Sequence, residues 1–286
     1  MKKVVPSWLS QALPDPVLKP LDDILSRYRI DELARFPRAK VLNGMARVTS
    51  TAGCTGPEFI DQGQIAADEE RYYEQIIYES GVIPTREDSW HDLFNALIWH
   101  EFPLTKRYLN TLHMQDIREY GVHPRTSRRH RLTHFDECGV VLAVPRQHLD
   151  RANRLLQALA DHQWEWAFLE CRKWWGEVVI PVMFGHANLE MLLEPFIGLT
   201  GKWLAVTVGE EFVCLGSMQQ QQMLDVALKE RIQALEDFQP PHILKPLPLL
   251  GVPHWYPQQQ REFYANSDYF RPLRPGRPAT SQLPLD

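Results

Sequence analysis

Residues 88–110 read DSWHDLFNALIWHEFPLTKRYLN, and they decide the fold class. Ser89 is a good helix N-cap, and Asp92 follows three residues later in a capping-box arrangement. Leu93, Phe94, Ala96, Leu97, Ile98 and Trp99 then make a helix that is apolar around most of its circumference. Such a helix is buried rather than half-wet. Pro103 breaks it. A second helix runs from about 104 to 120, with Gly121 placed to end it. A central pair of helices is therefore expected. His91, Asp92 and Asn95 lie in the first turns of the apolar member. Polar groups in such a surface must find partners, bind something, or cost stability.

Short elements surround this pair. Residues 22–28 read as a helical turn or two, 41–49 as a strand, and 51–57 as a loop. Residues 68–78 read as a helix stopped by Gly81 and Pro84. Two apolar stretches, 132–135 and 140–144, flank Asp136-Glu137-Cys138-Gly139 and predict a β-hairpin. Residues 147–168 read as a helix. Residues 177–184 read as a strand whose Pro181 asks for an edge or a bulge. Gly185-His186 and a short helix over 187–193 follow. Residues 203–208 and 211–215 read as a strand pair around Gly209, and 219–238 as a helix. Unevenly spaced strands among helices do not suit a doubly wound sheet. The expectation is a single compact α+β domain.

Ten of the residues after Gln239 are proline. The stretch 247–257, LPLLGVPHWYP, is too apolar for a free tail, so it is expected to lie as an extended strap. The chain divides accordingly: an N-terminal segment over 1–60 packed on the body, the α+β domain with its strap over 61–273, and a tail over 274–286 expected to be disordered.

Hydrophobic content of 44% and charged content of 23% are those of an ordinary soluble globule. The net charge of -5 argues against a nucleic-acid-coating surface. Cys54, Cys138, Cys171 and Cys214 form no C-x-x-C pair, which speaks against zinc-knuckle and thioredoxin-like motifs. Four reduced thiols are the plain reading. No apolar segment has the form of a signal peptide or the length of a membrane span. A cytoplasmic location is the expectation.

Four blocks carry a family resemblance: SWHDLFNALIWHEFPLTKRYLNTLH, RLTHFDECGVVLA, VMFGHANLE and LPLLGVPHWYP. In this order and spacing they resemble the DUF3025 family of uncharacterised, mainly proteobacterial proteins. The resemblance covers roughly 72–272 and implies no activity. Where the family usually pairs arginine with aspartate, this chain reads Arg129-His130-Arg131.

The candidate chemistry lies on three segments. His91, Asp92 and Asn95 form the first group; an imidazole beside a carboxylate suits either a metal or a general base. Asp136 and Glu137 form the second, and a turn would let both meet one ion. His186 is the third, at a strand-to-helix junction, with Glu190 one turn on to orient it. His91, Asp92 and His186 are thus the candidate catalytic residues. With Asp136 and Glu137 they hold enough donors for one divalent metal, if the segments meet. Each group also has a plain structural reading, as helix cap, hairpin tip or core histidine. No H-E-x-x-H, P-loop, G-x-G-x-x-G or G-x-S-x-G motif occurs.

A basic stretch adds a ligand-binding candidate. Residues 104–131 carry seven Lys or Arg against two acidic residues, whereas 57–101 carry eleven acidic residues against two arginines. Arg128, Arg129 and Arg131, with Asn95, are candidates for holding an anionic small molecule; a solvated turn is the alternative. The most concrete activity is a metal-assisted or acid/base hydrolase acting on such an anion. The other reading is a non-catalytic scaffold or binding protein.

Overall fold

A four-stranded mixed sheet is flanked by helices. The computed structural model describes residues 6–49 and 56–286. In chain order, α1 (Ser7–Ser10), α2 (Lys19–Arg27) and α3 (Ala39–Thr49) precede β1 (Glu58–Asp61), α4 (Tyr73–Ser80) and β2 (Val82–Thr85). The helices α5 (Trp90–Glu101), α6 (Pro103–Tyr120) and α7 (Ser127–Cys138) then run into β3 (Gly139–Pro145). Next come α8 (Leu149–Ala160), β4 (Ile180–Met183), α9 (His186–Met191) and β5 (Thr200–Val208). The last elements are α10 (Ser217–Ala234), β6 (Lys245–Pro248) and α11 (Arg261–Tyr264). The main sheet has the order β4-β3-β5-β6, with β3 and β5 parallel and the two outer strands antiparallel to them. β1 and β2 form a separate parallel pair.

The central strand β3 is buried along its whole length, as a strand covered on both faces must be. Pro181 lies on the edge strand β4, and Pro246 and Pro248 lie on the opposite edge, where missing amides cost no ladder bond. The apolar strap thus begins as a fourth strand. Leu247, Leu249, Leu250 and Val252 are all buried.

The helix pair is as expected. Ser89 Oγ accepts from the Asp92 amide, and Leu93 through Glu101 are buried without interruption. The N-terminal elements grip the start of α5 through rings: Trp8 stacks on Trp90 at 5.7 Å, and Phe36 meets Trp90 edge-on at 5.2 Å.

Several elements differ from the sequence reading. Residues 132–138 are not a hairpin arm but the end of α7. Leu132 and Phe135 are both fully buried; three apart, they share a helix face, whereas a strand would point them oppositely. Thr126 caps this helix by accepting from the Arg129 amide. Residues 41–49 are helical, not extended: Ala39 and Leu42 share the buried face while Val41 is exposed. Residues 211–215 form a 3-10 turn, because β5 takes β3 and β6 as its partners instead. The expected long helix over 147–168 stops at Ala160, and His162 adopts a left-handed conformation. Its Nδ1 and Trp164 Nε1 both reach the carbonyl of Arg271, which fixes the break. The helix placed at 68–78 begins at Tyr73, where Gln75 Oε1 accepts from the Tyr72 amide.

The end of the chain, expected to be disordered, is docked. Gln282 is buried, accepts from the Ala205 amide at 2.9 Å and donates to the carbonyls of Trp203 and Ile243. Cys138, Cys171 and Cys214 are unpaired. Cys54 and nearly all of the loop at 51–57 lie outside the described residues. Among the described residues, no helix is long and apolar enough to cross a membrane.

Candidate functional site

Two glycines bring the separate segments together. A Cβ on Gly139 would lie 2.4 Å from the carbonyl oxygen of Phe135, so only glycine lets β3 leave α7 this sharply. A Cβ on Gly185 would lie 2.5 Å from the carbonyl oxygen of Glu137. Its absence lets the turn before α9 sit against the end of α7, where the amides of Phe184 and Gly185 both donate to the Gly139 carbonyl. The result places His186, the first residue of α9, beside Asp136. Helix α5 packs on α9 and delivers His91 from the other side.

The two imidazoles face each other. His91 Nε2 and His186 Nε2 are 3.2 Å apart, with ring centroids at 4.6 Å and nearly perpendicular planes. A carboxylate stands behind each ring. Glu190 Oε2 is 3.0 Å from His91 Nδ1, and Asp136 Oδ2 is 3.9 Å from His186 Nδ1. Glu190 therefore orients His91 rather than the histidine of its own helix. His186 is buried, and its Nδ1 has no hydrogen-bond partner. Burial pushes the His186 imidazole down to about 3, so the ring is neutral at physiological pH.

His91, His186 and Asp136 line a cavity of about 360 Å³ with Tyr72, Tyr73, Glu74, Arg86, Asp92, Asn95, His113, Arg125 and Glu137. Of the residues singled out from sequence, His91, Asp92, Asn95, Asp136, Glu137 and His186 all reach it. Besides the histidine pair, three of them are engaged by protein partners. Asp92 accepts from the Arg86 amide at 2.7 Å and from its guanidinium at 2.8 and 3.0 Å. Burial would raise its carboxyl, but Arg86 outweighs this and holds it below the usual range. Asp136 pairs with the buried ammonium of Lys106. There too burial raises and Lys106 lowers, with a net shift downward. Asn95 donates to Tyr73 Oη at 3.1 Å and accepts from Lys106 Nζ at 3.0 Å. Asn95→Leu is expected to cost about 1–3 kcal/mol, since it removes the second acceptor of the buried Lys106 ammonium. An unchanged chemical-denaturation midpoint would show that this bond contributes nothing.

The five proposed metal donors do not make a ligand set. Among the described residues, no group of three or more His, Cys, Asp or Glu is arranged to hold an ion. Asp92 and Asp136 have turned to cations.

The basic loop does not reach the cavity with the three arginines expected there. Arg128 is buried against Asp116, and Arg129 is fully buried and donates to the carbonyls of Gly121 and Val122. Arg131 donates to the carbonyls of Phe238 at 2.6 Å and Gln239 at 2.8 Å. All three tie segments together. Only Arg125 of this loop lines the site, with its guanidinium 2.6 Å from Tyr72 Oη.

Lys106, Glu74, Arg86 and His113 were not singled out in the sequence. One signal was there: Lys106, Asn110 and His113 follow helical spacing on α6, and all three are buried. Asn110 donates to Glu74 at 2.6 Å, and His113 Nδ1 is buried without a partner. Burial holds His113 below the usual imidazole range. Two polar stripes, 91/95 on α5 and 106/110/113 on α6, thus meet in one polar centre.

A family model described as "Protein of unknown function (DUF3025)" matches residues 57–274. The chain belongs to the DUF3025 family. The matched region runs from β1 to the strap and includes every residue of the cavity. No curated protein and no solved structure matches the chain. For this DUF3025 protein, the geometry of the site is therefore what speaks to function.

Proposed function

We propose that this DUF3025 protein is an acid/base enzyme, and that His91 and His186 carry the proton. The observation behind this reading is the run Glu190–His91–His186–Asp136, whose members come from three helices. With Glu190 accepting from His91 Nδ1, the bare nitrogen of His91 is Nε2, and it accepts from His186 Nε2. His186 Nδ1 is then a buried lone pair facing the Asp136 carboxylate. Two neutral imidazoles supply two N–H groups for three gaps. An added proton puts the charge on His91, beside Glu190, with His186 remaining neutral behind it. A water or substrate hydroxyl beside His91, whose side chain is 34% exposed, is the natural donor. Hydrolysis is the simplest reaction of that kind.

The lining suggests the substrate. Four carboxylates (Glu74, Asp92, Asp136 and Glu137) oppose two guanidinium groups, Arg86 and Arg125. This balance favours a neutral or cationic polar molecule over the anion suggested by the sequence.

Purified protein should hydrolyse at least one member of a panel of neutral or cationic chromogenic esters, glycosides and aminoacyl anilides. His91→Gln should lower that rate about 10²–10⁴-fold. Equal rates for parent and variant, or no turnover across the panel, would remove the hydrolytic reading. His91 and Asp92 should also separate in kind. Asp92→Ala releases Arg86 and should lower stability by about 1–3 kcal/mol. His91→Ala, at a half-exposed position, should melt near the parent while losing activity. A fully active His91→Ala would leave the pair as architecture. The scaffold reading has its own support, since Asp92, Asn95 and Asp136 are already engaged by protein partners.

A further inference from the structure

Four cations gather around one space away from the histidine pair. A second cavity, of about 350 Å³, lies between the sheet and the chain that follows the strap. Thr200 and Lys202 of β5 stand beside Pro248 and Pro246 of β6, in register and on one face. Residues 268–277 form the opposite wall. Lys202, Arg271, Arg274 and Arg277 line the space against a single carboxylate residue, Asp268, in a chain of net charge -5. Among the described residues, no carboxylate lies within ion-pair distance of any of the four cations. Arg271 is turned back, donating from Nε to the Asp268 carbonyl, so Lys202, Arg274 and Arg277 are the free ones. Burial holds the Lys202 ammonium below the usual lysine range, and Arg277 adds to that shift. An anion would relieve the repulsion.

One acceptor residue, His162, lines the same cavity. His162 Nδ1 lies 3.0 Å from the Arg271 carbonyl, so it carries the proton. Nε2 is then a lone pair, buried and without a partner. Three cations with one acceptor match an anion that also bears an O–H. Phosphate has that form near neutral pH, because its second ionisation falls there. Sulfate and carboxylates are fully ionised and bring no proton for His162.

We propose that this cavity binds a small phosphate-bearing anion, held by Lys202, Arg274 and Arg277 and selected by His162. A space of this size takes a phosphate or pyrophosphate group rather than a nucleic-acid backbone. The site is independent of the acid/base reading of the histidine pair. Arg277 lies just beyond the family-matched region, so the site uses a cation that the family match does not cover.

Calorimetric titration of the full chain with inorganic phosphate, pyrophosphate, glycerol phosphate and sulfate, at matched ionic strength, tests this. Phosphate species should bind at least tenfold more tightly than sulfate. The Arg274→Ala/Arg277→Ala double variant, at exposed positions, should fold normally and lose at least tenfold in phosphate affinity. Lys202→Met should do the same, and His91→Gln should bind as the parent does. His162→Phe should lose the preference over sulfate. Equal affinity for sulfate and phosphate in the parent would overturn the phosphate assignment. Undiminished binding by the double variant would overturn the site. A preference for pyrophosphate or glycerol phosphate over phosphate would support it and identify which phosphate-bearing source it takes.

Discussion

Asp116→Ala is expected to destabilise the protein by about 3–5 kcal/mol, the cost of breaking a buried ion pair from one side. Asp116 is 2% exposed, and it accepts from Arg128 and from the Thr126 hydroxyl. Removing it leaves the Arg128 guanidinium with two long bonds of 3.3 Å, to Leu112 O and Gln115 Oε1, and an Nε that already lacks a partner. It also frees Thr126, the residue that caps α7, and α7 carries Asp136 into the site. Urea unfolding should show the loss as a lower midpoint with little change in slope. Removing both charges together, as Asp116→Leu with Arg128→Met, should cost less than the single change, because no uncompensated charge remains. A single variant within about 1 kcal/mol of the parent would mean that Arg128 finds water on release.

That expectation reverses what the charge pattern suggests. Four closely spaced arginines look like a solvated patch, because sequence spacing carries no information on depth. Arg128 and Arg129 are buried because backbone carbonyls and one aspartate from α6 and its following turn wait for them. The hairpin expected at Asp136 gives way to a helix for a related reason. Its Asp-Glu-Cys-Gly tetrad has turn chemistry, but the three-residue spacing of Leu132 and Phe135 is helical, and the packing of both side chains decides. The parts that were legible rest on local rules. Ser89 caps α5, Gly81 ends α4 in a left-handed conformation, and Pro181 keeps β4 at the edge. His91, Asp136 and His186 could each be picked out as polar groups at structured junctions. That they meet depends on Gly139 and Gly185 and on the packing of α5 against α9, which no local pattern encodes. Lys106 stayed hidden because a lysine in a basic stretch gives no hint of a buried carboxylate partner thirty residues on.

Lys106→Met should produce the second large effect, and its pH dependence identifies the stranded group. Lys106 is 4% exposed, pairs with Asp136, bonds Asn95 and lies 5.3 Å over the Trp99 ring. In the parent, the folded-state carboxyl of Asp136 is held below its unfolded value. Its contribution to stability is therefore complete above about pH 4, the unfolded carboxyl range, and is lost as pH falls through the folded value. Without the ammonium, the remaining large influence is burial, which raises the group. The folded-state carboxyl then lies above the unfolded one, and the sign inverts: Asp136 costs stability at neutral pH and less as acid neutralises it. The variant should be about 3–5 kcal/mol less stable than the parent at pH 7, and the gap should narrow steadily toward pH 4. Urea midpoints of both proteins across that range measure it. A gap independent of pH would assign the loss to the Asn95 bond and the Trp99 contact instead. Adding Asp136→Asn to the variant should restore most of the stability at pH 7 and flatten the pH response, because the uncompensated charge is then gone. The same double variant removes the carboxylate behind His186 and keeps a hydrogen-bonding side chain there, so its residual activity separates the orienting role of Asp136 from its charge.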